Sequence, residues 1–143
     1  MVHALGEIHR VLVPDGVLID LRPLADRWSI EVFSVRETRQ TGHVTDLPLG
    51  LEDDAAANQA VANAESNGWF TREKETFFPL HYIWDTASEM EKWIDKEWEN
   101  FMGLDDEIRK ATRSAWALGD ADSRVRVRAK MLITKWKKLQ PFS

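Results

Sequence analysis

Cysteine is absent from the chain. That excludes disulfides, thiol nucleophiles and thiolate metal ligands, and it fits a reducing, cytoplasmic setting. Long apolar runs are absent too. None approaches the roughly 20 residues needed to span a bilayer. The N-terminal stretch carries Glu7 and lacks a basic segment followed by an apolar one, so it does not read as a secretory signal. Positive charge is in deficit: 19 Lys and Arg against 24 Asp and Glu give a net charge of -5. Such a balance argues against wholesale nucleic-acid binding. The four histidines, His3, His9, His43 and His81, show no metal-ligand spacing. No G-x-S-x-G nucleophile motif is present. What remains is a chain of 143 residues, 43 % hydrophobic and 30 % charged, with seven tryptophans. That suffices for a single domain over residues 1–143 with a real core, most of the tryptophans inside it.

Ala4, Leu5, Ile8, Val11 and Leu12 recur at helical spacing, and Pro14-Asp15-Gly16 stops that helix. Val17-Leu18-Ile19 reads as a short strand covered on both faces, and Pro23 as its end. Ile30–Leu47 reads as a hairpin turning at Arg39-Gln40-Thr41-Gly42. Asp53 or Asp54 opens an alanine-rich helix that Asn67-Gly68 closes. Trp69–Phe78 reads as a half-exposed or edge strand ended by Pro79. Thr86-Ala-Ser-Glu89 is a capping box ahead of the stripe Met90, Trp93, Ile94, Trp98 and Phe101. A further helix carries Leu104, Ile108, Ala111, Ala115 and Leu118 on one side. The last element alternates, with Val125, Val127, Ala129, Met131 and Ile133 on one face and Arg124, Arg126, Arg128 and Lys130 on the other. The expectation is an α/β or α+β fold: a largely antiparallel, mixed sheet of about four or five strands with packed helices.

The stretch "LGEIHRVLVPDGVLIDLRP" resembles the passage of class I S-adenosylmethionine-dependent methyltransferases that commonly reads L-x-E-x-x-R-V-L-x-P-G-G-x-L. Leu5, Glu7, Arg10, Val11, Leu12, Pro14, Gly16 and Leu18 match it, while Asp15 stands where Gly is usual. In that family the passage is the helix before the fifth strand, the turn and the strand. "NGWFTREKETFFPLHYIWDTASEMEKWI" resembles the sixth strand and a short helix. "RVRVRAKMLITKWKKL" resembles the final strand, which in the family pairs antiparallel with its neighbours. The resemblance implies a Rossmann-like half-fold, the C-terminal part of a methyltransferase. The family's cofactor site uses a Gly-rich loop, D/E-x-G-x-G-x-G, and an acidic residue ending the second strand. The seven glycines here form no such cluster. No cofactor is therefore expected for this chain alone. Three readings follow: a remnant that is not catalytic alone, a small-ligand-binding or protein-interaction module reusing the half-fold, and one part of a two-chain enzyme completed by a partner.

Candidate ligand residues are Asp20 and Arg22, placed where open sheets present ligand groups beyond strand ends. A local ion pair is the competing reading. His81, Tyr82, Trp84 and Asp85 form a second polar-aromatic group, with His81 a possible base if a carboxylate orients it. There the competing reading is that Trp84 is core and Asp85 belongs to the helix start. Trp28 completes the expected pocket of Asp20, Arg22, Trp28, His81, Trp84 and Asp85. The basic residues of the last strand face an acidic stretch from Asp85 to Glu107, so internal pairing or a solvated face competes with nucleic-acid contact. Finally, Val17, Leu18 and Ile19 would present an apolar strand edge, which predicts a homodimer with the first helix and strand near its interface.

Overall fold

The computed structural model describes residues 2–140. Among them are helices α1 (Val2–Val11), α2 (Pro48–Ser66), α3 (Ala87–Glu97) and α4 (Asp106–Ala117). The strands are β1 (Val17–Phe33), β2 (Thr38–His43), β3 (Thr45–Asp46), β4 (Phe70–Trp84), β5 (Met102–Gly103) and β6 (Arg124–Lys138). One sheet has the order β2-β1-β6-β4, and β3 with β5 forms a second, two-stranded one. The class is α+β with a mostly antiparallel sheet, the coarse form of the expectation.

The chain divides into two compact units, and β1, β4 and β6 are long enough to contribute to both. The first unit is the described part of Met1–Leu24, Glu52–Phe78 and Met131–Ser143. Its core joins Leu5 of α1, Ala60 and Ala64 of α2, Phe70 of β4 and Trp136 of β6. The α2 face is alanine because a small side chain lets a helix backbone approach its neighbours closely. The turn after α1 puts Asp15 in the left-handed region at φ 62, and Gly16 N–H donates to the Val13 carbonyl at 2.9 Å. In this unit Lys138 N–H donates to Gly16 O and Leu139 N–H to Trp69 O, holding the end of β6 against the starts of β1 and β4.

The second unit is Ala25–Leu51 with Pro79–Lys130. Trp28, Ile30 and Val32 of β1, Met90 and Ile94 of α3, and Val125, Val127 and Ala129 of β6 form its core. Thr86 caps α3, its hydroxyl accepting from Glu89 N–H, as the capping box requires. Met90 and Ile94 are fully buried, a contribution of about 2–3 kcal/mol each. Tyr82, Trp84, Trp93 and Trp98 pack against this core in an aromatic group, with Tyr82 stacked on Trp84 and the other contacts tilted or edge-on.

Several sequence expectations are corrected. Pro23 and Pro79 do not end their strands; β1 and β4 run through them. Proline is tolerated where its missing N–H faces no neighbouring strand. That suits β4 at the sheet edge, and on β1 the ladder with β2 begins only at Ser29. Val17 and Ile19 are not covered on both faces, since they alternate with half-buried Leu18 and Asp20 and are themselves exposed. The hairpin turn lies at residues 34–37 instead of 39–42, closed by Ser34 N–H on the Glu37 carbonyl at 2.8 Å. Arg39 to Gly42 are strand, with a bulge opposite Ile30 and Glu31 absorbing Thr41. Helix α2 starts at Pro48, where a fixed φ and a missing N–H suit the first turn, five residues before the expected caps. Phe101 and Leu118, expected on buried stripes, are exposed just past the ends of their helices. On β6 the buried positions run odd from Val125 to Ala129 and even from Leu132 to Trp136, so Met131 and Ile133 are not core.

Candidate functional site

Within the first unit, β1, β4, β6 and α2 surround an open cavity of about 310 Å³. This lies at the small end of the range for small-molecule pockets, about 300–1,000 Å³. Strand alternation explains its polar content. Asp20 and Arg22 sit two apart on β1 and therefore share a face. Arg22 Nε donates to Asp20 Oδ2 at 3.1 Å, and its Nη1 donates to Asn58 Oδ1 of α2 at 2.7 Å. Both side chains are largely shielded, at 14 % and 17 % exposure, so this ion pair is fixed rather than swinging in solvent. On β4, Arg72 pairs with Glu75 at 3.3 Å and with Glu65 of α2 at 3.6 Å. Thr134 of β6 donates its hydroxyl to Glu75 Oε2 at 3.2 Å. The Arg72 guanidinium also lies over the Trp136 ring, 5.6 Å from its centroid.

Trp136 lines this cavity while only 5 % exposed. Its indole N–H has no hydrogen-bond partner among the described residues. The nitrogen itself is closed off from solvent, and a buried donor left unmatched costs about 1–3 kcal/mol. Apolar surface from Leu24, Val61, Phe77 and Leu132 completes the lining.

The six expected pocket residues are divided between the two units. Asp20 and Arg22 line the cavity of the first unit. Trp28, His81, Trp84 and Asp85 belong to the second unit. There Trp28 is buried core, edge-on to Trp98, and Trp84 packs beside it against Tyr82 and Trp93. Asp85 is exposed and pairs with Arg124 at 3.1 Å. His81 is exposed on β4. Desolvation, with the positive charge of Arg126 and Arg128, holds its pKa below the ordinary value of 6.5, against the pull of Glu31. The cationic surroundings favour the neutral ring. The local-structure readings of Trp84 and Asp85 therefore describe those residues, and the ion-pair reading of Asp20 and Arg22 holds inside a cavity.

The basic face of β6 is matched internally. Arg126 and Arg128 meet Glu31 at 3.1 and 3.8 Å, Lys130 meets Asp26 at 3.1 Å, and Lys135 meets Glu73 at 3.1 Å. In the acidic stretch, Glu91 and Asp95 of α3 pair with Arg113 and Arg109 of α4. Internal pairing thus accounts for the basic run, and for Asp85, Glu91 and Asp95 of the acidic one. No group of three or more metal-ligating side chains is assembled among the described residues. No described helix is long and apolar enough to cross a membrane.

Asn58, Arg72, Glu75, Thr134 and Trp136 were not foreseen as cavity residues. They come from α2, β4 and the distant β6, and no local motif joins them. The only available signal was the alternation of β6, and its buried parity reverses before Thr134 and Trp136. Comparisons with protein families, curated proteins and solved structures found no match.

Proposed function

We propose that this chain is the substrate-side half of a class I methyltransferase-like fold and does not transfer methyl groups by itself. The observation that carries the reading is strand order. The segment that resembles the family's final strand, β6, lies between β1 and β4. Residues pair in reversed order along it. Glu31 meets Arg126 and Asp26 meets Lys130 in the second unit, while Trp69 meets Leu139 and Glu73 meets Lys135 in the first. β6 is therefore antiparallel to both neighbours, the relation the resemblance implies. The left-handed Asp15 adds support, because its position is the one where the family usually has Gly.

On this reading the S-adenosylmethionine site belongs to polypeptide outside these residues, either in frame or on a partner chain. The test is the DNA 5′ of the Met1 codon and in the adjacent reading frame. The reading expects a D/E-x-G-x-G-x-G loop encoded in one of them. Its absence from both would count against it.

The same reading includes a homodimer. β2 meets β1 only from Ser29 to Phe33, so over Val17–Leu21 the sheet order gives β1 one described neighbour, β6. Val17, Ile19 and Leu21 are exposed there. An open apolar edge favours pairing with a second copy. Light scattering at micromolar concentration should give twice the chain mass; a compact monomer would remove this part of the reading. The small-ligand reading is favoured by a separate observation, the Trp136-lined cavity.

A further inference from the structure

We propose that the sheet face of the first unit turned away from α2 binds a free medium-chain carboxylate, an aliphatic monoanion of about eight carbons. The inference rests neither on the methyltransferase-like reading nor on the homodimer. Strand alternation creates the face, and two of its properties select the ligand.

Asp20 and Arg22 of β1 and Leu132, Thr134 and Trp136 of β6 line the cavity beneath α2. The residues between them therefore take the opposite face. There Ile19, Ile133 and Lys135 join Lys74 and Thr76 of β4 around an open depression of about 260 Å³, lined by the three strands alone. The first property is an apolar floor of set length. Ile19 is 53 % exposed, and Leu21, next on the same face of β1, is exposed as well. β6 lies between β1 and β4, so the strands that carry Ile19 and Lys74 are two spacings apart, about 10 Å, which an extended chain of about eight carbons covers. The second property is charge. The lining holds two lysines and no carboxylate. Lys135 is engaged by Glu73 at 3.1 Å. Lys74 makes no hydrogen bond or ion pair with any described residue. One positive charge thus remains unmatched at the β4 end of the floor. Thr76, two residues along, shares the Lys74 face and offers a hydroxyl donor. A carboxylate takes one oxygen to each, and its tail runs over Ile133 to Ile19. An ammonium is repelled by the lysines, and a neutral alcohol gains the floor alone. The net charge of -5 on the whole chain disfavours an anionic bilayer as the occupant.

The test uses the full chain with octanoate, octylammonium, 1-octanol and acetate. Binding is followed through the isoleucine δ1 methyls in ¹H–¹³C spectra, those of Ile19 and Ile133 assigned by their loss in Ile19→Val and Ile133→Val. Octanoate should move both saturably and leave the buried Ile30 and Ile94 methyls in place. It should bind at least about tenfold tighter than octylammonium, and tighter than octanol and acetate. Lys74→Glu, a change at an exposed position, should reverse the preference toward octylammonium. If that variant does not fold, Lys74→Gln takes its place and should erase the preference. A smaller preference over octylammonium, equal or tighter binding of octanol or acetate, or an unchanged preference in the Lys74 variant would overturn the proposal. So would Ile19 and Ile133 methyls that stay unmoved at about 1 mM octanoate, which half-fills a site with a dissociation constant of about 1 mM. Sedimentation of the chain with phosphatidylcholine–phosphatidylserine vesicles, without a response to octanoate, would give the face to a bilayer. Movement of the Ile133 methyl on dilution of the ligand-free chain would give it to a second copy. Either result also overturns the proposal.

Discussion

At the scale of single residues, backbone angles make the sharpest claims. Gly68 closes α2 at φ 74, and a Cβ there would meet nothing within 4 Å. Its requirement is therefore conformational, not steric. Gly68→Ala should cost about 1–2 kcal/mol in urea denaturation, the left-handed penalty for a side chain. Arg27 holds φ 44 on β1, with its N–H on Asp46 Oδ2 and its carbonyl accepting from the His43 ring when Nδ1 carries the proton. Glycine preserves both backbone contacts, so Arg27→Gly should stabilise by about 1 kcal/mol in the same experiment. His81 makes a pH claim. Desolvation, then Arg126 and Arg128, lower its pKa in the fold. As pH falls, the unfolded chain takes up this proton first. The His81 contribution is thus fully present above the unfolded value of 6.5 and is lost as pH falls through it toward the lower folded value. His81→Gln should flatten the stability profile in that window and leave it unchanged near pH 8. Since the ring is exposed, the change is small.

At the scale of elements, burial decides which charge pairs matter. Glu91 of α3 is 4 % exposed and receives two hydrogen bonds from Arg113 of α4, at 2.7 and 2.8 Å. Arg109 clamps Asp95 through two more, which hold the Asp95 carboxyl below its ordinary pKa. Asp85 and Arg124 are both exposed. Glu91→Ala should lower stability by about 2 kcal/mol, whereas Asp85→Ala should cost less than about 1 kcal/mol. Chemical denaturation of both variants checks the order. The helices were legible because each signal is local. The capping box at Thr86, the stripe through Met90 and Ile94, and the Asn67-Gly68 stop all lie within one or two turns of what they control. The strands were less legible. Pro23 and Pro79 break a strand only where their missing N–H faces a neighbour, and the sequence does not show which sides are paired. β6 was recognised as an alternating strand, yet the parity of its buried positions reverses after Ala129, which its uniform alternation does not signal.

At the scale of the whole molecule, the candidate site was half visible. Asp20 and Arg22 were legible as two like-facing charges near a strand, and they line the cavity. Trp28, His81 and Trp84 looked similar as a polar-aromatic group, but aromatic density equally describes a core, and the core uses Trp28 and Trp84. The open side of β1 makes its own prediction. Ile19→Lys places a charge on an exposed position of that edge, a device that blocks edge pairing. It should shift the chain from dimer to monomer in light scattering while its circular dichroism stays unchanged. The central claim, a methyltransferase-like half without the cofactor site, is tested most directly by calorimetric titration of the chain with S-adenosylmethionine. The account expects no saturable heat at ligand concentrations up to about 1 mM. Saturable binding with a micromolar dissociation constant would contradict it.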